Sequence, residues 1–241
     1  MGLGWGRRGR WLVRLLALVA LFFAAACRPE PADVDYASHA DLRERAEGPE
    51  SLPGPDPFDP ATPRWSVGAF YEGPATTSVP IDGSSAFYFV FDVAGDGSGP
   101  LTYTRETSSD RVEGTSSDRI IHAGEGFVGG GIFWYVARDI GALETLHVSL
   151  KSSDGAFATV GINVQSGPDR PADGEDPAAT HRVTANAYGY ANDGEWHNLT
   201  IPLADLEAMG FDSTQCRSPF FFDAGGGMSG ESLLIDNLYL E

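Results

Sequence analysis

The chain from Trp65 onward consists of short apolar and aromatic segments separated by glycine, serine, aspartate and asparagine. Segments rich in β-branched and aromatic residues and bounded by such turn formers predict β-strands. In "LHVSLKS", for example, Leu146, Val148 and Leu150 alternate with polar residues, so that one face of the strand is apolar. The segments with this character are "WSVGAFY", "AFYFVFD", "RIIHA", "GIFWYVA", "LETLHVSLK", "FATVGINVQ", "HRVTANAYGY", "EWHNLTIPL", "PFFFDAG" and "SLLIDNLYL".

Helical spacing is convincing in a single segment, "LADLEAMGF", where Gly210 is the expected C-cap. Many short strands with one short helix predict an all-β fold, namely one β-sandwich or jelly roll over residues 64–241.

The stretch "HAGEGFVGGGIFWYV" contains Gly124, Gly126 and Gly129 at the spacing G-x-G-x-x-G. A dinucleotide-binding loop would need a helix that begins at the third glycine. Here "IFWYV" follows, and its β-branched and aromatic residues favour a strand. We therefore interpret the glycines as a turn between strands and as strand positions that another backbone or a ligand approaches closely.

The N-terminus has the pattern of an export signal. Four arginines precede the apolar run "LLALVALFFAAA", which is shorter than the roughly 20 residues of a membrane-spanning helix. The following "AAAC" resembles a bacterial lipobox, which implies a signal peptide over residues 1–26 and lipidation of Cys27. An ordinary secretory signal with an incidental cysteine is the alternative. We expect an exported protein anchored by lipid to a bacterial membrane, with its domain facing the periplasm or the cell exterior.

Residues 27–63 predict a linker, because they hold eight of the 16 prolines and many acidic residues. The whole chain has a net charge of −18, which repels phosphate backbones and excludes nucleic acid as an expected partner. With Cys27 lipidated, Cys216 would have no disulfide partner, and we interpret it as a packing residue.

Catalytic motifs are not recognisable in the sequence: it contains no H-E-x-x-H, G-x-S-x-G or Walker pattern, and its five histidines are scattered. Acidic residues are too abundant for spacing to mark a glycosidase pair. Nothing therefore argues for an enzyme.

Three segments in order, "VEGTSSDRIIHAGEGFVGGGIFW", "NDGEWHNLTIPLADL" and "SLLIDNLYL", resemble bacterial carbohydrate-binding modules with a galactose-binding-like jelly roll. The resemblance covers residues 86–241. It implies a galactose-binding-like β-sandwich that binds carbohydrate without altering it, and it implies that Trp196 packs the sandwich. These modules usually accompany a catalytic domain, and we expect none beside the module in this sequence.

Sugars lay their C–H faces on aromatic rings, so aromatic residues are the binding candidates. We select Trp134, Tyr135, Tyr188 and Tyr190. Tyr188 and Tyr190 are two positions apart on a predicted strand and should point to one face, whereas Trp134 and Tyr135 should point to opposite faces. Core packing is the alternative for each ring.

The resemblance also implies a structural calcium ion, held by an aspartate in the last strand and a carboxylate near the first. Asp236 matches the late position, and Asp92 and Glu113 are candidates for the early one. Calcium needs six to eight oxygen ligands, which would come from separate strands. Alternatively, Asp236 accepts hydrogen bonds from the backbone N–H groups of a turn.

The sequence thus predicts a monomeric, surface-anchored lipoprotein whose β-sandwich binds a polysaccharide or other glycan without catalysis. Two alternatives stay open: a polysaccharide hydrolase or lyase on the same scaffold, and a structural lipoprotein that contacts other proteins.

Overall fold

A computed structural model of the chain describes residues 58–124, 126–170 and 176–241. Within them the strands are β1 (Trp65–Ser66), β2 (Thr77–Ser78), β3 (Ala86–Val90), β4 (Tyr103–Ser108), β5 (Ser117–His122), β6 (Val128–Trp134), β7 (Thr145–Lys151), β8 (Val160–Ser166), β9 (Ala179–Thr184), β10 (His197–Pro202), β11 (Cys216–Ala224) and β12 (Ser232–Leu240). The α-helix α1 spans Leu203–Glu207, and 3-10 helices span Gly155–Phe157, Ala185–Tyr188 and Ser213–Gln215.

The strands form two sheets. The five-stranded sheet has the order β3-β6-β11-β8-β9. In the seven-stranded sheet, β12 pairs along one side with β7, which pairs in turn with β10. Along its other side β12 pairs first with β5 and then with β1. β5 pairs in turn with β4, and β1 pairs with β2. Every pairing except β1 with β2 is antiparallel.

The core lies between the sheets and follows the alternation of the sequence. On β7, Leu146, Val148 and Leu150 are fully buried, as "LHVSLKS" predicted. Ile132 and Trp134 of β6 contribute from the facing sheet. The predicted fold class, an all-β sandwich with one short helix, is confirmed.

The glycine motif forms a connection between the two sheets. Gly124 and Gly126 have φ values of 101° and 64°, which favour glycine, and they lie between β5 and β6. Gly129 lies inside β6, so a strand stands where a dinucleotide loop would place a helix. The interpretation as a turn followed by a strand is confirmed.

Three smaller predictions also have structural outcomes. The predicted helix is α1, and Gly210 follows it with φ of 100°. Cys216 is fully buried and free, and burial raises the pKa of its thiol. Trp196 is buried with 7% of its surface exposed, although it lies outside the main cluster of core residues.

The predicted signal peptide over residues 1–26, the lipidation site Cys27 and most of the linker 27–63 lie outside the described residues. In the part of the chain that the structure describes, no helix has the length and apolar character needed to cross a membrane.

Candidate functional site

The outer face of the five-stranded sheet is aromatic along one edge. β3 places Tyr88 and Val90 towards the core, and the strand period of two therefore turns Phe87 and Phe89 outward. Phe91 continues the same alternation just beyond β3, where its N–H donates to Gly129 O of β6 at 3.0 Å.

Neighbouring strands extend this edge into a surface that we call the aromatic face. Its members are Phe87, Phe89, Phe91, Phe127, Phe133, Tyr135 and Phe221. Ring centroids follow one another from Tyr135 to Phe87 at 5.0 Å, to Phe89 at 6.4 Å, to Phe91 at 5.2 Å and to Phe127 at 5.6 Å. The rings thus form a continuous series along the edge of the sheet.

Exposure differs between the ends and the base of the aromatic face. Phe127 and Tyr135, at the two ends, are 44% and 37% exposed. Phe133 and Phe221 are buried and lie beneath their neighbours, with ring centroids 5.2 Å from Phe87 and 5.8 Å from Phe89 respectively. The buried rings of Phe133 and Phe221 hold the outer rings in position, so the outer rings would lose little conformational entropy when a ligand binds.

Glycines of β6 make this packing possible. A Cβ atom on Gly129 would lie 2.9 Å from the Phe91 ring and 2.9 Å from Phe222 O. A Cβ atom on Gly131 would collide with Phe221 of the neighbouring strand. The glycines of "VGGGIFW" therefore allow aromatic rings of the adjacent chain segments to close over β6.

A buried arginine fixes the Tyr135 end of the aromatic face. The Arg217 guanidinium lies 4.8 Å from the centroid of the Phe133 ring, and its Nε donates to Trp134 O at 2.9 Å. It also donates to Pro168 O and forms an ion pair with Asp176 at 3.3 Å. Its charge is thus compensated within the protein, as burial of a charged group requires.

The other half of the same outer face carries polar side chains, which we call the polar row: Asn163, Gln165, Thr180, Arg182 and Asp223. Asn163 Nδ2 donates to Asp223 Oδ2 at 2.7 Å, and Arg182 Nε donates to the same oxygen at 3.1 Å. Gln165 Nε2 donates to Thr180 Oγ1 at 3.0 Å. These contacts connect β11, β8 and β9 and continue the surface beyond Phe221.

Tyr135 is the predicted binding residue that the structure places on the aromatic face. Its neighbour Trp134 points the opposite way and is fully buried in the core. One of this adjacent pair therefore packs the core, as their opposite directions predicted. Trp134 is corrected from a binding candidate to a core residue.

The prediction that Tyr188 and Tyr190 point to one face of a strand is wrong. β9 ends at Thr184, a 3-10 helix spans Ala185–Tyr188, and Gly189 follows with φ of 96°. Both tyrosines follow β9, the sheet edge opposite β3, and β8 lies between β9 and the nearest strand of the aromatic face, β11.

Both tyrosines are held by hydrogen bonds and packing. Tyr190 is 3% exposed and donates to Phe157 O at 2.8 Å. Tyr188 packs against the core and donates to Asp205 Oδ2 of α1 at 2.9 Å. Burial, together with the Asp205 carboxylate, raises the pKa of Tyr188. The structure thus gives both rings a structural role.

The three candidate calcium ligands do not lie together. Asp236 Oδ2 accepts hydrogen bonds from Val112 N at 2.6 Å and Glu113 N at 3.1 Å, and its Oδ1 accepts one from Asn237 N at 2.8 Å. Asp92 instead accepts from two glycine N–H groups in its own turn, at 2.6 and 2.7 Å. Asp236 therefore has the backbone-bonding role that was the alternative to calcium.

Glu113 is the candidate that the structure brings close to Asp236. Glu113 Oε1 accepts a hydrogen bond from Glu72 N at 2.5 Å. Burial raises the pKa of Glu113, and the carboxylates of Asp236 and Glu72 add to this effect. Within the described ranges, no group of three or more acidic, histidine or cysteine residues is arranged to hold a metal ion. Structural calcium stays a prediction.

The aromatic face was readable in part from the sequence. "AFYFVFD" has Phe87, Phe89 and Phe91 at a period of two, which places three rings on one side of a strand. The same segment predicts a strand, and its rings are not among the four aromatic candidates chosen from the sequence. The strand order β3-β6-β11-β8-β9 brings Phe127, Phe221 and the polar row to the same surface, and no local sequence pattern specifies that order.

Comparisons with solved structures find β-sandwich carbohydrate-binding modules. The family 30 module of a cellulosomal cellulase of Clostridium thermocellum is 14% identical with a TM-score of 0.46, over 60% of this chain and 88% of that chain. The family 11 module of the same organism, in complex with a β-1,3-1,4-mixed-linked tetrasaccharide, is 12% identical with a TM-score of 0.41, over 64% of this chain and 94% of that chain. No protein-family model and no curated protein matches the chain.

Proposed function

We propose that the protein binds a carbohydrate polymer on the aromatic face and the polar row, and that it leaves the polymer chemically unaltered. The observation that carries the proposal is the continuous series of rings from Tyr135 to Phe127, which lies beside hydrogen-bonding side chains on one surface of one sheet.

The chemistry of the two halves suits a sugar chain. Phenylalanine rings provide apolar area for the C–H faces of sugar rings and make no conventional hydrogen bond themselves. Hydrogen bonds to the sugar hydroxyl groups must therefore come from the neighbouring side chains. The polar row offers the Asp223 carboxylate, the Arg182 guanidinium, the Gln165 amide and the Thr180 hydroxyl, while the buried Asn163 supports Asp223 through its hydrogen bond. A binding site of this kind combines a mainly apolar lining with a few polar groups that fix orientation.

The shape of the site supports an extended ligand. Five rings follow one another at centroid distances of 5.0 to 6.4 Å, and the rings at both ends are exposed. A linear polymer contacts several of these rings at once, whereas a single small molecule contacts one or two. Binding by several modest contacts gives an affinity that depends on ligand length.

Non-catalytic binding is part of the proposal. Asp223, the carboxylate of the polar row, accepts hydrogen bonds from Arg182 and Asn163. Glycoside hydrolysis generally requires two carboxyl groups about 5 to 10 Å apart, one of which acts as an acid. The engaged carboxylate of Asp223 is arranged for orientation of hydroxyl groups instead. Export and a lipid anchor at Cys27 would place this surface outside the cytoplasm, within reach of polysaccharide.

The test is affinity electrophoresis of the full chain in gels that contain one soluble polysaccharide each, across neutral and acidic classes. We expect one class to retard the protein, and we expect Phe89→Ala and Phe127→Ala to abolish or strongly reduce the retardation. Met209→Ala is the matched control, because Met209 is 46% exposed and lies next to α1, away from the aromatic face.

Two results would contradict the proposal. One is normal mobility of the folded protein in every gel. The other is retardation that Phe89→Ala and Phe127→Ala leave unchanged, which would place the binding surface elsewhere. Release of reducing ends or unsaturated sugars by the purified chain would instead favour the hydrolase or lyase alternative.

A further inference from the structure

The outer face of the seven-stranded sheet contains a cleft of about 250 Å³, on the opposite side of the sandwich from the aromatic face. One wall comes from the β4–β5 loop, and the other comes from the segment after β7 and the turn before β10. The lining consists of Ser108, Asp110, Arg119, Lys151, Ser152, Ser153, Asp154, Gly194, Ser232 and Leu234.

The floor of the cleft is set by strand register. Leu234 of β12 pairs with Arg119 of β5 on one side and with Lys151 of β7 on the other. Paired residues of adjacent strands point to the same face of a sheet. A half-buried aliphatic side chain therefore lies between two cationic side chains, one of which is the only lysine of the chain.

The Asp110 carboxylate lies at the mouth of the cleft and contacts residues on both of its sides. Asp110 Oδ2 lies 2.9 Å from Lys151 Nζ, and Asp110 Oδ1 accepts a hydrogen bond from Trp196 Nε1 at 2.8 Å. Asp110 is exposed on its other side, whereas Trp196 is buried. The buried indole thus holds an exposed carboxylate in a fixed position at the mouth of the cleft.

The opposite wall is fixed by its own hydrogen bonds. Ser152 Oγ donates to Ser232 O at 2.7 Å and accepts from Asp154 N at 3.0 Å. Asp154 Oδ2 accepts from Ser232 N at 2.7 Å. The wall is therefore organised before any ligand arrives, which lowers the entropic cost of binding.

We propose that this cleft is a second ligand site, which takes one uncharged sugar residue. Its charges are opposed, since Lys151 forms an ion pair with Asp110, Arg119 forms one with Glu106, and the Asp154 carboxylate accepts a hydrogen bond from Ser232 N. A charged ligand would leave one sign uncompensated, whereas a sugar hydroxyl donates to a carboxylate and accepts from an ammonium group at the same time.

The size of the cleft limits the ligand. A volume of about 250 Å³ is the share of roughly eight liquid water molecules, and it is slightly below the range of pockets that hold drug-sized ligands. A single sugar residue, free or at the end of a chain, fits this limit. Because the aromatic face is on the other sheet, the cleft can bind its ligand whether or not the proposed function of that face is correct.

Trp196 provides a direct readout, because its indole N–H contacts Asp110 in the cleft. The ¹⁵N-labelled full chain is titrated with the methyl β-glycosides of glucose, galactose and xylose, and with methyl β-glucuronide as the charged comparison. We expect a saturable shift of the Trp196 indole resonance with at least one neutral glycoside and none with the glucuronide.

Two variants and one control assign the shift to the cleft. Lys151→Met removes the ammonium group and keeps the apolar stem, and Ser153→Tyr fills the cleft from an exposed rim position. Each should weaken neutral-glycoside binding by about tenfold or more. Tyr135→Ala, on the aromatic face, should leave the titration unchanged.

Three results would overturn the proposal: no saturable shift with any neutral glycoside, an equal response to the glucuronide, or binding that both cleft variants leave unchanged. Since Ser153 is exposed, Ser153→Tyr keeps the test informative even if Lys151→Met perturbs the sheet.

Discussion

Arg182 and Asp223 form an ion pair that crosses β8 directly above Gly161. Arg182 Nε and Nη2 lie 3.1 and 3.0 Å from Asp223 Oδ2 and Oδ1, and a Cβ atom on Gly161 would lie 2.5 Å from Arg182 Nε and 2.6 Å from Asp223 Oδ1. The glycine thus lets a polar bridge lie flat on the proposed binding surface.

Gly161→Ala should therefore displace this bridge while the sheet stays folded. The contacting atoms all belong to the Arg182 and Asp223 side chains, which can rotate away, so we expect a stability change of about 0.5 kcal/mol or less. Loss of the ordered polar row should weaken polysaccharide binding by about tenfold, or about 1.4 kcal/mol. Gly225→Ala is the control, because a Cβ atom at Gly225 meets nothing within 4 Å. Equal binding by Gly161→Ala and the parent would remove the bridge from the site.

The adjacent residues Trp134 and Tyr135 should respond in opposite ways to substitution by alanine. Trp134 is fully buried, so Trp134→Ala should lower the free energy of unfolding by about 3 to 5 kcal/mol. Tyr135 is 37% exposed on the aromatic face, so Tyr135→Ala should weaken binding by about 1 to 2 kcal/mol with little change in stability. Chemical denaturation and affinity electrophoresis measure the two effects. The reverse outcome would mean that the sheet faces are misassigned.

The sequence predicted the fold better than the site, for a physical reason. Alternation within one strand identifies its faces, so the sandwich and the burial of Leu146, Val148 and Leu150 followed from local patterns. The aromatic face combines residues from strands that are distant along the chain, and Asp223 meets Arg182 only through the order β11-β8-β9. Local patterns also did not show that β9 ends at Thr184 and that a 3-10 helix, Ala185–Tyr188, follows it before Tyr190.

Membrane attachment is a separate prediction, which rests on the sequence alone. If Cys27 is lipidated, Cys27→Ser should move the protein from the membrane fraction of the producing bacterium to the soluble fraction after export. Metabolic labelling with a fatty-acid analogue checks the modification directly. Cys216→Ser is the matched control, because Cys216 is fully buried and should carry no label. Continued membrane retention of Cys27→Ser would contradict the lipid anchor.

Glu113 should make stability depend on pH. Burial first, and then the carboxylates of Asp236 and Glu72, raise its pKa in the folded state above the ordinary value of about 4.3. The contribution of Glu113 to the free energy of unfolding is then fully present at pH values below its ordinary pKa. It is lost as the pH rises through the raised pKa of the folded state. Glu113→Gln should therefore raise the melting temperature at pH 7, with little effect at pH 4, because the amide oxygen can still accept from Glu72 N.

Asp236→Asn should behave differently, although burial also raises the pKa of Asp236. Both of its oxygens accept backbone N–H groups, and an amide would turn a donor towards one of them, leaving buried groups unsatisfied at a cost of about 1 to 3 kcal/mol. Melting curves with calcium and with a chelator test the predicted ion on the same variants. If calcium binds here, it stabilises the parent, and Glu113→Gln loses that calcium-dependent gain instead of becoming more stable. Structural calcium at Asp236 would be contradicted if the chelator left the melting temperature of the parent unchanged and Glu113→Gln melted at a higher temperature than the parent.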